Sequence, residues 1–210
     1  MNALLQDYRS PDGNVDYTSL KQNPKDVEKI VELIESTDMG EMTPNERKAF
    51  ILNTYNFLVI HGIVAGGIEF SVKEDQQFFE QSRLSLSGDS SSLDELEHKE
   101  LRAVYADPRI HFALNCGAAS CPPLNQEIFQ ESKLESQLEE LTKLALNDTS
   151  HVMIKKKERV VKLSPIFQWY EEDFSAAGGV FSFINKYRSD TLLDDYTIVY
   201  REYDWSLNSD

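Results

Sequence analysis

Eighteen residues, Asp107–Leu124, constrain this chain more than any other stretch. They read DPRIHFALNCGAASCPPL and hold both cysteines, Cys116 and Cys121, and one of four histidines, His111. From Arg109 to Cys116 the pattern alternates. Ile110, Phe112, Leu114 and Cys116 fall on one face and Arg109, His111, Ala113 and Asn115 on the other, which predicts a short strand. Gly117 breaks the alternation, and Pro122 and Pro123 can continue neither a central strand nor a helix interior. The reading is a strand that ends in a fixed loop carrying two thiols. A Gly-Ala-Ala-Ser spacer needs special geometry to close a disulfide, so both thiols are expected free and the setting cytoplasmic.

A chain of 210 residues fits one domain with a good core. Residues 1–22 are mixed and polar, with a turn at Pro11-Asp12-Gly13, and read as a flexible lead-in to a domain over 23–210. With 36 acidic against 21 basic residues the formal charge is -15, which argues against nucleic acid or an anionic membrane as partner. The first sixteen residues lack a basic start followed by an apolar run, so no signal peptide is expected. The most apolar stretch, Ala49–Ile68, contains Asn53, Asn56 and His61 and reads as a buried helix rather than a membrane span.

Residues 24–37 show helical spacing of Val27, Ile30, Val31, Leu33 and Ile34, an amphipathic surface helix. Thr43-Pro44-Asn45-Glu46 is a helix start with a capping box, and the helix should stop at Gly66-Gly67. Asn53 and Asn56 share a face of it. Buried amides need partners, so they either tie the helix to a neighbouring backbone or bind substrate. Arg83–Leu86 is a short strand, and Ser92 caps a helix to Arg102 on which His98 and Arg102 lie one turn apart. A long helix is expected over 126–146, a hairpin over 152–163, a helix over 164–174, another over 181–187 and a last strand at 196–200. The sum is an α+β class: a single helix-rich domain with a small, mostly antiparallel sheet built from the cysteine strand, the hairpin and the last strand.

Several of these segments resemble one known family. Beside the cysteine stretch, they are Asn53, Tyr55, Asn56 and His61; Glu97, His98, Leu101 and Arg102; Phe167, Trp169, Tyr170, Asp173 and Phe174; and Tyr203, Asp204, Trp205 and Asn208. Together they resemble the signature of the domain of unknown function 547 (DUF 547) family over about 43–208. The resemblance implies a shared fold and, since that family is named for its unassigned activity, no mechanism.

The residues themselves point to thiol chemistry. A cysteine becomes a nucleophile when a neighbouring histidine or cation stabilises its thiolate. Cys116 is the expected nucleophile, at a strand end where the amides around Gly117 would hold an oxyanion. Cys121 is the second candidate. His98 is the expected general base, ahead of His61 and His111. Asn53, Asn56, Glu97, Arg102, Arg109, Asn115 and Asp173 are expected to position substrate or orient the base, with Asp173, a carboxylate set among aromatics, as an orienter for a histidine. The expected function is a cysteine-dependent hydrolase or transferase acting on a peptide-like amide or thiol conjugate. In papain- and transglutaminase-like enzymes the cysteine comes first and begins a helix, so kinship with those would be permuted or convergent. The alternatives are a silent interaction module with a protein partner and, third, a His/Cys zinc site. The C-x-x-x-x-C spacing speaks against a thioredoxin-like role. Gly-rich phosphate loops and other cofactor motifs are absent, so no cofactor is expected.

Overall fold

A computed structural model describes residues 1–210. Its centre is α4 (Pro44–Ala65), preceded by α1 (Asn2–Tyr8), α2 (Tyr17–Gln22) and α3 (Lys25–Glu35). The start of α4 is the one expected: Thr43 Oγ1 accepts from Glu46 N–H and the Glu46 carboxylate accepts from Thr43 N–H. From Ala49 to Ile60 every side chain except Phe50 is buried, so this helix has no solvent face along its middle. A helix apolar on all sides is stable only when neighbours cover all of them. Here α2, α3 and the segment after residue 92 do so. Residues 1–22 are packed rather than a loose lead-in. Leu4, Leu5, Val15, Tyr17 and Leu20 are buried in the main core.

β1 (Arg83–Leu86) and β2 (Asp89–Ser92) form an antiparallel hairpin through Ser87 and Gly88, both at positive φ as a tight two-residue turn requires. After α5 (Phe78–Gln81) and this hairpin comes α6 (Leu93–Glu95), capped by Ser92, then a wide π-helical turn over Leu96–Arg102 and α7 (Ala103–Tyr105). α8 (Leu134–Asn147) begins eight residues later than the pattern from 126 suggested. Residues 126–133 are instead held against α4 through Phe129. β3 (Val152–Lys155) and β4 (Val160–Leu163) pair antiparallel as the expected hairpin. β5 (Thr197–Tyr200) pairs parallel with β4, so the sheet is mixed. The expected helix over 164–174 is broken at Tyr170 into α9 (Ile166–Trp169) and α10 (Glu171–Ala176), and α11 (Val180–Tyr187) follows.

The cysteine stretch is not a strand. Pro108–Phe112 is a 3-10 turn, with Pro108 at its first position and the Asp107 carboxylate accepting from Arg109 N–H. The alternation misled because both of its faces are buried. Ile110, His111, Phe112, Ala113, Leu114 and Asn115 are all out of solvent. Phe112 instead anchors a second core against Phe167, Phe174 and Phe183. Finally, segment 203–208 lies across the cysteine loop. Ala119 N–H donates to Ser206 O, Asn208 N–H to Gly117 O and Val15 N–H to Asn208 O. The end of the described chain thus joins its beginning to the loop.

Candidate active site

Asparagines build the cysteine loop. Asn56, on α4, donates to Ala113 O at 3.0 Å and accepts from Asn115 N–H at 2.9 Å. Asn115 donates to Pro122 O and its Oδ1 accepts from Gly117 N–H and Asn208 Nδ2. Asn53 does for Phe129 what Asn56 does for the loop, exchanging two bonds with its backbone. These three amides therefore satisfy buried backbone and do not line the cleft described below; for Asn53 and Asn56 this is the fold-tying role weighed above. Gly117 sits at φ +82, and a Cβ there would meet Ile63 Cδ1 at 2.7 Å, so both backbone sign and space demand glycine.

Cys116 and Cys121 form a disulfide with Cα atoms 6.1 Å apart. That corrects the expectation of free thiols. The loop closes because Gly117 turns it and Cys121 N–H donates back to Ala118 O at 3.0 Å. It also removes the ground on which a cytoplasmic setting was expected. Cys121 Sγ accepts from Cys116 N–H at 3.0 Å, and the Tyr203 hydroxyl lies 3.3 Å from each sulfur. Two of the amides expected to hold an oxyanion around Gly117 are already engaged within the loop. Cys116 N–H is on Cys121 and Gly117 N–H on Asn115.

The histidines sort differently from expectation. His111, 4 % exposed, donates from Nε2 to Asp173 Oδ2 at 2.7 Å and stacks on Tyr170, ring centres 3.8 Å apart. Its Nδ1 takes no hydrogen bond from the protein, and its ring lines the cleft described below. Asp173 also accepts twice from Arg102, at 2.7 and 3.1 Å. The His111 hydrogen bond first, then that guanidinium, hold the Asp173 carboxyl well below the usual carboxylate range. Arg102 Nη1 lies 2.6 Å from His98 Nδ1. A guanidinium only donates, so Nδ1 is the acceptor and the His98 proton is on Nε2, facing Asp94 Oδ1 at 3.3 Å. His98 thus reaches the cleft with its lone pair already occupied by Arg102. His61 lies elsewhere, half-buried on α4 with Glu28 and Glu35 as its charged neighbours, and its pKa is lowered by burial. Arg109 is also remote from the cleft, paired with Asp107 and Glu135.

One cleft of about 260 Å³ gathers the chemistry. His98, His111, Cys116, Cys121, Asp94 and Glu97 line it together with six aromatic rings, those of Tyr55, Phe79, Trp169, Tyr170, Tyr203 and Trp205. Burial, and then Glu97, raises the phenol pKa of Tyr55, Tyr170 and Tyr203. Tyr55, Tyr170 and Tyr203 were not singled out from the sequence as site residues. They do lie inside the segments that carried the family resemblance, and that was the available signal. No three His, Cys, Asp or Glu side chains converge as a metal donor set, and both sulfurs are joined to each other, so the zinc expectation has no ligands to build on.

Fold and cleft define an α+β domain with a disulfide, a His–Asp pair and an aromatic-lined cavity on one face. The chain belongs to the DUF547 family, described as a protein of unknown function, whose model matches residues 39–144. No curated protein and no solved structure matches the chain. The matched residues include the cysteine loop, His98 and His111; Asp173 and Tyr203 lie beyond them.

Proposed function

We propose that the cleft is the site of a cysteine-dependent hydrolase or transferase acting on a peptide-like amide or thiol conjugate, with Cys116 as nucleophile once the disulfide is reduced. One observation supports this above all: His111, oriented by Asp173 through Nε2, lines the same cleft as Cys116 with its Nδ1 unbonded. Nucleophile, base and orienter are the parts that activated-thiol chemistry needs. The base is thus His111 in place of His98.

In this reading a dithiol first reduces the Cys116–Cys121 bond, becoming a disulfide itself. His111 Nδ1 takes the Cys116 proton, and the thiolate attacks the substrate carbonyl carbon. The imidazolium then returns the proton to the leaving amine or thiol as the carbon–heteroatom bond breaks. Water or a second nucleophile releases the acyl group. Arg102 and Tyr170 keep Asp173 and the imidazole in place, through the bonds and the stacking already described.

A second reading is thiol–disulfide exchange at the same pair, favoured by the two donors on Cys121 Sγ, which would stabilise it as a leaving thiolate.

The test is alkylation of the reduced protein by iodoacetamide across pH, followed at Cys116 and Cys121 separately by peptide mass mapping, in the native chain and in His111→Asn. The hydrolase reading expects Cys116 to react with an apparent pKa well below the unperturbed ~8.5 and to lose that in the variant. A Cys116 that titrates alike in both proteins rejects it. A low apparent pKa at Cys121 that survives the variant favours exchange, and two sulfurs inert until unfolding favour a silent interaction module.

A further inference from the structure

Glu97 is a buried carboxylate without a salt bridge, 9 % exposed. Its hydrogen-bonding neighbours are phenols: the Tyr55 hydroxyl donates to Oε2 at 3.4 Å, and the Tyr170 hydroxyl also bonds the carboxylate. The other charges beside the cleft are matched: Asp94 faces His98, and Arg102 is held by Asp173 and His98. No lysine or arginine lines the cavity. Removing a carboxylate from water is expensive unless a positive group or several donors meet it. Glu97 is met only by neutral phenols and by an Arg102 already committed to Asp173, and it opens onto a cavity large enough for a small molecule.

The walls favour the same partner. Aromatic rings offer a broad apolar face to the body of an organic cation and attract the charge held beside them. Trp169, Tyr203 and Trp205 form one continuous aromatic strip, with ring centres 4.7 to 5.7 Å apart. Trp205 already carries a cation over its ring from outside the lining set, Lys73 Nζ at 4.2 Å. Glu97 lies on the π-helical turn Leu96–Arg102, a local widening that often marks functional positions.

We infer that the cleft is a binding site for an organic ammonium ion, its cation on Glu97 and its apolar body on the Trp169–Tyr203–Trp205 strip. The ligand class is a primary amine with an aromatic or aliphatic body, free or as a basic side chain of a peptide. Binding needs neither free thiol nor proton transfer by His111, so it is tested on the oxidised protein, where the thiol reading is silent.

Both tryptophans of the chain line the cleft, so their fluorescence reports occupancy. The experiment titrates phenethylammonium, phenylethanol and 3-phenylpropanoate into the oxidised chain at pH 7 and constant ionic strength. The ammonium ion should saturate at least tenfold tighter than the alcohol, and the carboxylate should bind weakest. In Glu97→Gln the ammonium should fall to the level of the alcohol, whose own binding is unchanged. Equal binding of the three, a preference for the carboxylate, or an ammonium preference that survives Glu97→Gln overturns the inference. The three-ligand comparison on the unaltered chain decides the matter even where the variant fails to fold.

Discussion

His111 Nε2 donates to Asp173 Oδ2 at 2.7 Å across 62 residues of sequence, and that bond ties the cysteine loop's lead-in turn to α10. Arg102 completes the carboxylate's shell from a third segment. Three pieces of chain thus meet at one carboxylate.

Asp173→Asn removes the charge that both partners need. Hydrogen bonds to charged groups contribute about 1.5–3 kcal/mol, so urea unfolding at pH 7 should show a loss of about 2 kcal/mol. The sign with pH follows from a folded-state pKa below the unfolded one. Stability from this group is fully present above the unfolded value near ~3.9 and is lost as pH falls through the folded value. The gap between wild type and Asp173→Asn should therefore be widest near neutral pH and shrink below about pH 4. A gap that widens on acidification rejects this account.

Asn56→Ala should cost about 2–3 kcal/mol. It strips partners from two buried backbone groups, Ala113 C=O and Asn115 N–H, at once. Asn56→Asp keeps the acceptor and loses the donor, so it should be no milder. Chemical denaturation of both decides it, and a loss under about 0.5 kcal/mol would mean that water replaces the amide.

Lys48 and Asp107 form a nearly buried ion pair at 2.6 Å, their side chains 5 % and 14 % exposed. Burial pushes the Asp107 carboxyl up, but hydrogen bonds from Arg109 and Lys48 outweigh it and hold it at about 2. Breaking such a pair leaves a charge without its partner, so Lys48→Met should destabilise by about 3 kcal/mol, Arg109 softening the loss. Thermal melts at pH 7 measure it, and an unchanged Tm would show Arg109 alone to be sufficient.

Reducing Cys116–Cys121 reopens a loop of sequence separation five. Loop-closure entropy for so short a loop gives about 2 kcal/mol, far from enough to unfold a well-packed domain. Circular dichroism during urea unfolding, with and without a phosphine reductant, should therefore show a folded reduced protein whose unfolding free energy is lower by that amount. Global unfolding on reduction would show that the disulfide holds far more than its own loop.

Much of the fold was legible where the signal was local. The Thr43–Glu46 capping box, the stop at Gly66, the cap at Ser92 and the 152–163 hairpin depend on neighbours a few residues apart, and all appear. The cysteine stretch was misjudged because alternation implies a strand only if one face is solvated, and here both are buried. The site was legible as a set of residue types but not as pairs. Nothing within Glu97–Arg102 reveals that Arg102 will occupy the His98 lone pair, and only the tertiary approach of α10 gives Asp173 to His111.

Segment 203–208 sets an order in time. Tyr203 reaches sulfurs 87 and 82 residues before it, and Asn208 accepts from the Tyr17 hydroxyl across 191. During synthesis the cysteines leave the ribosome long before the residues that cover them. The pair is then open to oxidants and thiols in the surroundings, and the environment of the nascent chain, before the cleft exists, has the first opportunity to decide its redox state.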